Sequence, residues 1–378
     1  MKSKSLVYAA ALAALIAQSC SKNNSSTVGQ KANTPVMKAD ATSAYQDNAV
    51  TGFFQRISGA EAFDGAFSVR LTDGSDLWLN SDTFYNQLNG NGMLPCIFNV
   101  HNSTLQQPSS HSWNQANTPT LTYLGNAAMF VPLSSSHWFW LGGAFQVGGD
   151  PYILCNEMES SSGGLGFTQV NQILGQLNMS THAVTYTNLP NLNGISFGIG
   201  FVPALDGNVY AYGYKPQGAP SVAANVYVAR FPYGNVGSWT FWNGSSWVSS
   251  ASSATPIGVA ASNGVYVQWV NTKLVMVSTQ FSIQCDQGTA IYACTSTSMT
   301  GPFTAQQVIY NIPDNDQGHT PFFYAPAIHP QFNANNEFLM TYCINYYQPC
   351  VTACVNNQMD PNGYRPRGVR VPFSVLGL

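Results

Sequence analysis

Residues 63–86 read FDGAFSVRLTDGSDLWLNSDTFYN. Phe67, Val69 and Leu71 alternate with polar neighbours, and so do Leu77 and Leu79, which is the period of a β-strand. Asp73-Gly74 lies between the two runs and is a strong turn signal, so the stretch predicts a hairpin. Register parity follows, because a one-residue slip would send one set of apolar side chains to the wrong face. In that parity Asp64 and Asp82 share a face of adjacent strands at the open end of the hairpin. They stand opposite or one diagonal step apart, roughly 4.5–8 Å between Cβ atoms. Carboxylates that close drive their pKa values apart, and a separated acid and base is what glycosidic cleavage needs. The structural alternative is a pair of strand-end aspartates bonded to backbone amides. Only 8% of the chain is charged, so two acids at one strand edge weigh toward chemistry.

The first 20 residues, MKSKSLVYAAALAALIAQSC, are laid out as a secretory signal. Lys2 and Lys4 form the basic start, Leu6 to Ala17 the apolar core, and Ser19 precedes Cys20. The arrangement resembles a bacterial lipoprotein signal, with Gln18 departing from the usual small residues. Cys20 would become the lipidated residue of an exported cell-envelope protein, on the outer membrane or the periplasmic face. Residues 21–50 are rich in Ser, Asn, Thr and Ala without apolar period, and read as a flexible tether. That leaves 51–378 for the folded domain. No other stretch is long and apolar enough to span a bilayer.

The net charge is −3 and there is no Lys/Arg cluster, which argues against nucleic acid. Asn, Ser, Thr, Gln and Gly must cover the surface, and aromatics make up 13% of residues. Amides for hydroxyls and rings for C–H faces suit a polysaccharide or oligosaccharide partner. Most of the rings would pack sheets in any β-protein. The eight cysteines fit an exported protein. Cys285 and Cys294 flank a turn-like DQGT and could cross-link a hairpin. Two of Cys343, Cys350 and Cys354 are expected to bond, while Cys96 and Cys155 have no assigned partner.

Nearly every regular segment reads as strand; only Thr168 to Leu177 could form a helical turn or more. The strands fall into five clusters with a period of about 60 residues, each offering three or four strands. They begin with the 63–86 hairpin, near Leu121, at ISFGIGF, at GVYVQWV and at YAPAIHP. Repeats of small antiparallel sheets predict an all-β, five-bladed β-propeller, closed by a strand from the other end of the chain. A two-sheet sandwich is the competitor, and the number of strands counts against it.

The series DGAFSVRLTDGSDLWLNSDTF, DGNVYAYGY, NVYVARFP, WTFWNGSSWV, STSMTGPFT, YAPAIHPQF, FLMTYCINY and YRPRGVRVP resembles the DUF4185/DUF5005-like lineage from Asp64 to Pro372. These are secreted bacterial five-bladed propellers, related in architecture to the furanosidase-type glycoside hydrolases of families 32, 43 and 117. The resemblance implies a carboxylate pair on the first hairpin, which carries over to Asp64 and Asp82. Related members read G-D-T where this chain has Ser81-Asp82-Thr83. Propellers keep their fold when chemistry is lost.

In a propeller the innermost strands meet at one axial mouth. Glu157, in YILCNEME, is the candidate third carboxylate, as general acid beside Asp64 as base or nucleophile, with Asp82 tuning; Glu159 is its fallback. His329 and His319 are candidate substrate contacts or satisfied structural residues. Trp140 is the candidate stacking ring among Trp113, Trp138 and Trp140. Arg365 and Arg367 read as structural ties for the closing strand. No organic cofactor is implied, and the architecture leaves room for a structural cation on the propeller axis. The expected function is a monomeric, membrane-anchored glycoside hydrolase acting on a furanoside-containing or other neutral polysaccharide. The alternatives are a non-catalytic glycan-binding lipoprotein and a protein-binding surface propeller.

Overall fold

The computed structural model describes residues 42–162, 166–218, 221, 223–262, 264–280, 285–348 and 350–378. Among the described residues there are six antiparallel sheets, the two-stranded pair Ala60–Phe63 and Thr83–Tyr85 and five that follow one another as blades. Blade I is Phe67–Arg70, Asp76–Asn80 and Ser103–Gln107. Blade II is His137–Phe145, Tyr152–Ser160, Phe167–Leu177 and Val184–Asn188. Blade III is Ser196–Pro203, Asn208–Pro216 and Ala224–Pro232, extended by Thr240–Trp242 and Trp247–Val248. Blade IV is Tyr266–Val270, Lys273–Thr279, Ala290–Ser296 and Gln307–Asn311. Blade V is Phe322–Ala334, Glu337–Asn345 and Arg367–Pro372. The first strand of each blade touches the first strand of the next, and blade V returns to blade I, which closes a five-bladed β-propeller.

The ring is clasped by the N-terminal side of the fold. Tyr45–Gln46 adds to the outer strand of blade V, with Tyr45 opposite Arg370 and Gln46 opposite Val369. Asp47 then caps the helix Asn48–Phe53 by accepting from the amides of Ala49 and Val50, and its other oxygen pairs with Arg370 at 2.8 Å. Val50 and Phe53 of that helix are fully buried. The folded domain therefore begins before residue 51, and the stretch read as tether ends sooner than residue 50. The helical alternative for Thr168 to Leu177 is also corrected, since those residues lie in the third strand of blade II.

The hairpin has the expected register. Phe67 faces Leu79 and Val69 faces Leu77. Its polar face is not solvated, however. Ser68, Trp78 and Asn80 are as buried as Leu77 and Leu79. Blades pack face to face, so an alternating strand here carries two different buried faces. One packs on blade II through Leu79, Phe139 and Leu141; the other stacks Trp78 on Phe332 of blade V.

Near the axis the inner strands approach so closely that side chains are excluded. A Cβ on Gly200 of blade III would lie 2.7 Å from the carbonyl oxygen and 2.8 Å from the nitrogen of Val267 in blade IV. Both contacts are backbone and cannot rotate away. Gly200→Ala is expected to cost about 1–3 kcal/mol of stability, read as a lowered denaturant midpoint; an unchanged midpoint would show that the two inner strands can part.

The disulfides differ from the expected pairs. Cys96 bonds Cys354 and Cys285 bonds Cys350. Cys294 cannot bond Cys285, because its strand turns it into the core between blades III and IV. Cys343 sits buried against blade I, where its sulfur accepts the Gly65 amide at 3.1 Å. Cys350 and Cys354 each staple the 346–360 connection to a different loop, which local spacing could not reveal. Cys20 and its signal lie outside the described residues.

Candidate active site

The two hairpin aspartates arrive opposite each other. The Asp64 amide donates to the Asp82 carbonyl at 3.3 Å, and the Ser81 amide to the Asp64 carbonyl at 3.0 Å. Gly65 follows with φ +87°, and a Cβ there would press on the backbone of Leu79 and Ser81 at 3.2 Å. Glycine thus permits the turn that aims Asp64 at the axis. Above the pair opens a cavity of about 430 Å³. Blades I, II, III and V and the residues leading into blade IV contribute to its wall, among them Phe67, Trp140, Tyr214, Tyr324 and Val265.

Asp64 Oδ2 accepts from the hydroxyls of Tyr324 at 2.7 Å and Tyr364 at 3.0 Å. Its Oδ1 is buried with no hydrogen-bond partner, which leaves it the oxygen free to carry a proton while Oδ2 accepts from the two tyrosines. Burial, and next the charge of Asp82, push this carboxyl up to about 7, against the pull of the two tyrosines. Asp82 Oδ1 accepts from His101 Nδ1 and from Trp140 Nε1, both at 2.8 Å. Burial raises Asp82 as well, while those two donors favour its charged form. His101 is itself held by stacking on Trp138, with ring centroids 4.7 Å apart. The site can therefore hold one proton on Asp64 and one negative charge on Asp82. Carboxamides of Asn156 and Asn345 complete a neutral polar lining.

Not every expected residue joins the pair. Trp140 does, as donor to Asp82. Glu157 does not: its neighbour Asn156 lines the cavity, so strand alternation turns Glu157 to the other face. There it meets His137 Nδ1 at 2.7 Å and Asn171 Nδ2 at 3.3 Å. Glu159 shares that face and lies 3.4 Å from His137 Nε2. His329 is fully buried between blades I and V, with Ser68 Oγ at 2.6 Å on Nδ1 and Thr341 Oγ1 at 2.8 Å on Nε2. Burial pushes it down to about 3, so it is neutral in the fold and has no nitrogen to offer a ligand. His319 is exposed and pairs with Asp286 at 2.7 Å, away from the cavity wall. Arg367 pairs with Asp314 at 3.0 Å, and Arg365 donates to the backbone of Arg56 and Glu61. Among the described residues no three His, Cys, Asp or Glu side chains gather as a metal site, so the axial cation has no such donor set there.

Sequence reasoning passed over His101, Tyr324 and Tyr364. One signal was available for Tyr324. It lies near the start of an inner strand, as Asp64 lies just before one, and inner-strand starts ring the mouth. His101 and Tyr364 stand in connections, where no period marks them.

A family model described as "Domain of unknown function (DUF5005)" matches residues 47–373. No curated protein matches. Among solved structures the chain is similar to a "putative hydrolase" from Bacteroides ovatus, at 16% identity and TM-score 0.69, covering 87% of this chain and 90% of that one. It is also similar to the GH43_1 enzyme from Xanthomonas citri complexed with xylotriose, at 14% identity and TM-score 0.49, covering 85% and 90%. A third is the α-L-arabinofuranosidase PaAbf62A from Podospora anserina in complex with cellotriose, at 8% identity and TM-score 0.46, covering 83% and 91%. At these identities the likeness is one of fold.

Proposed function

The chain belongs to the DUF5005 family, and from that premise and its axial site we propose that it is a glycoside hydrolase acting on a neutral, furanoside-containing or similar polysaccharide. The observation that carries the reading is the opposed pair Asp64 and Asp82 beneath a cavity lined with rings and carboxamides. Asp64 keeps its proton near neutrality and gives it to the glycosidic oxygen as the C–O bond breaks. Asp82, steadied by His101 and Trp140, offers its second oxygen to the positive charge that develops at the anomeric carbon. Water then supplies the hydroxyl of the new reducing end, and its remaining proton restores Asp64. Trp140 and Phe167, 4.6 Å apart and edge to face, present apolar surface to the sugar C–H groups.

A screen of plant and microbial polysaccharides with the fragment from residue 42 onward tests this. Reducing ends released by the wild type and not by Asp64→Asn are expected. Equal release by both would remove Asp64 from the chemistry, and capture of a glycan without release would favour the non-catalytic reading. That rival draws support from Glu157, which leaves the cavity with two carboxylates where three were expected. The proposal includes export as a monomer anchored through a lipidated Cys20. Cys20→Ser is expected to move the protein from the membrane fraction to the soluble one, and unchanged partition would sink the anchor.

A further inference from the structure

A second cavity, of about 570 Å³, lies between blades II and III. Its walls are the start of the strand Phe167–Leu177, the connection 189–195 and the facing edge of blade III. Tyr214 lines both this groove and the axial cavity. The partition beside it is an amide pair. Gln172, on the groove side, donates at 2.7 Å to Asn156 Oδ1, on the axial side. Gln172 is pinned in turn by the backbone of Phe197, donating to its carbonyl at 2.8 Å and accepting its amide at 3.0 Å. The two spaces are thus neighbours across one ring and one hydrogen-bonded pair.

The groove chemistry is uniform. No charged side chain lines it. Gln169, Asn191 and Asn193 are exposed along it, with Thr168 and Ser196 between them. Val170 and Pro190 give apolar relief to the same wall. Carboxamides that donate and accept, interrupted by small apolar surfaces and bounded by a tyrosine, match the alternating hydroxyls and C–H faces of uncharged sugars.

We propose that this groove is a run of sugar subsites continuous with the axial cavity, so that the protein grips an internal stretch of an extended neutral glycan passing over Tyr214, and not only a chain end. The inference rests on the glycan reading of the axial site.

The test is a glycan array of neutral oligosaccharides, from monosaccharide to octasaccharide in each series, probed with the wild type and with the double variant Gln169→Ala/Asn191→Ala. Both positions are exposed, so the variant should fold, and its thermal midpoint checks this. Wild-type affinity is expected to rise with chain length beyond the disaccharide. The variant should bind the longer members about tenfold more weakly, the effect of losing one or two hydrogen bonds, and bind mono- and disaccharides unchanged. Full affinity at the disaccharide, or no loss in the variant, would overturn the groove and leave the axial reading standing. No binding to any neutral glycan would take both down.

Discussion

Asp64→Asn is expected to lower turnover of the neutral glycan by about 10³-fold while the fold becomes more stable at alkaline pH. The first effect follows from the proton. An amide cannot donate to a leaving oxygen as a carboxylic acid does, and a positioned acid is worth about 10²–10⁴ in rate. The second follows from where that proton is held. Below about 4 a carboxyl is protonated in both folded and unfolded chains. Between there and about 7 the unfolded chain releases the proton while folded Asp64 retains it. The wild type therefore loses stability as pH rises through that window, by about 2–4 kcal/mol once the window is passed. Asparagine is neutral throughout and escapes the loss. Melting temperatures of the two proteins should nearly coincide near pH 4 and separate by pH 8, with the variant higher. A variant that is inactive and also less stable at pH 8 would show that Asp64 holds the fold and does not strain it.

The pH profile of kcat/KM should fall on its alkaline side through about 7, as Asp64 loses the proton it must donate. The direction in which variants move that limb identifies the group. Tyr324 and Tyr364 donate to Asp64 and favour its charged form. Tyr324→Phe removes one of those donors, so the limb should move to higher pH. Asp82→Asn removes the neighbouring negative charge, and the Asp64 titration followed by NMR should then move to lower pH. The shifts are opposite in sign, which a nonspecific loosening of the site would not produce. A limb that stays in place in Tyr324→Phe would assign the titration to a different group.

Much of this protein was legible in one dimension because its fold is local. Each blade is a meander whose strands are neighbours in sequence, so alternation, Asp73-Gly74 and the count of clusters were enough for a five-bladed ring. The pairing of Phe67 with Leu79 and Val69 with Leu77 followed from parity alone, and with it the opposition of Asp64 and Asp82. Parity failed for Glu157 because it tells which residues share a face and not which of two buried faces meets the axis. His329 misled for a related reason. A histidine in an inner strand can look to the mouth or between the blades, and its partners are Thr341 on the next strand and Ser68, 261 positions away.

What the chain determines by itself is the set of short-range choices: where strands turn, which side chains alternate, and that two acids end one hairpin. Closure of the ring decides the rest. It brings Tyr324 and Tyr364, some 260 and 300 positions from Asp64, onto one carboxylate oxygen. It also carries Cys96 across 258 residues to Cys354. Burial and hydrogen bonding set a carboxyl's proton affinity, and both belong to the assembled site; no run of letters around Asp64 contains them.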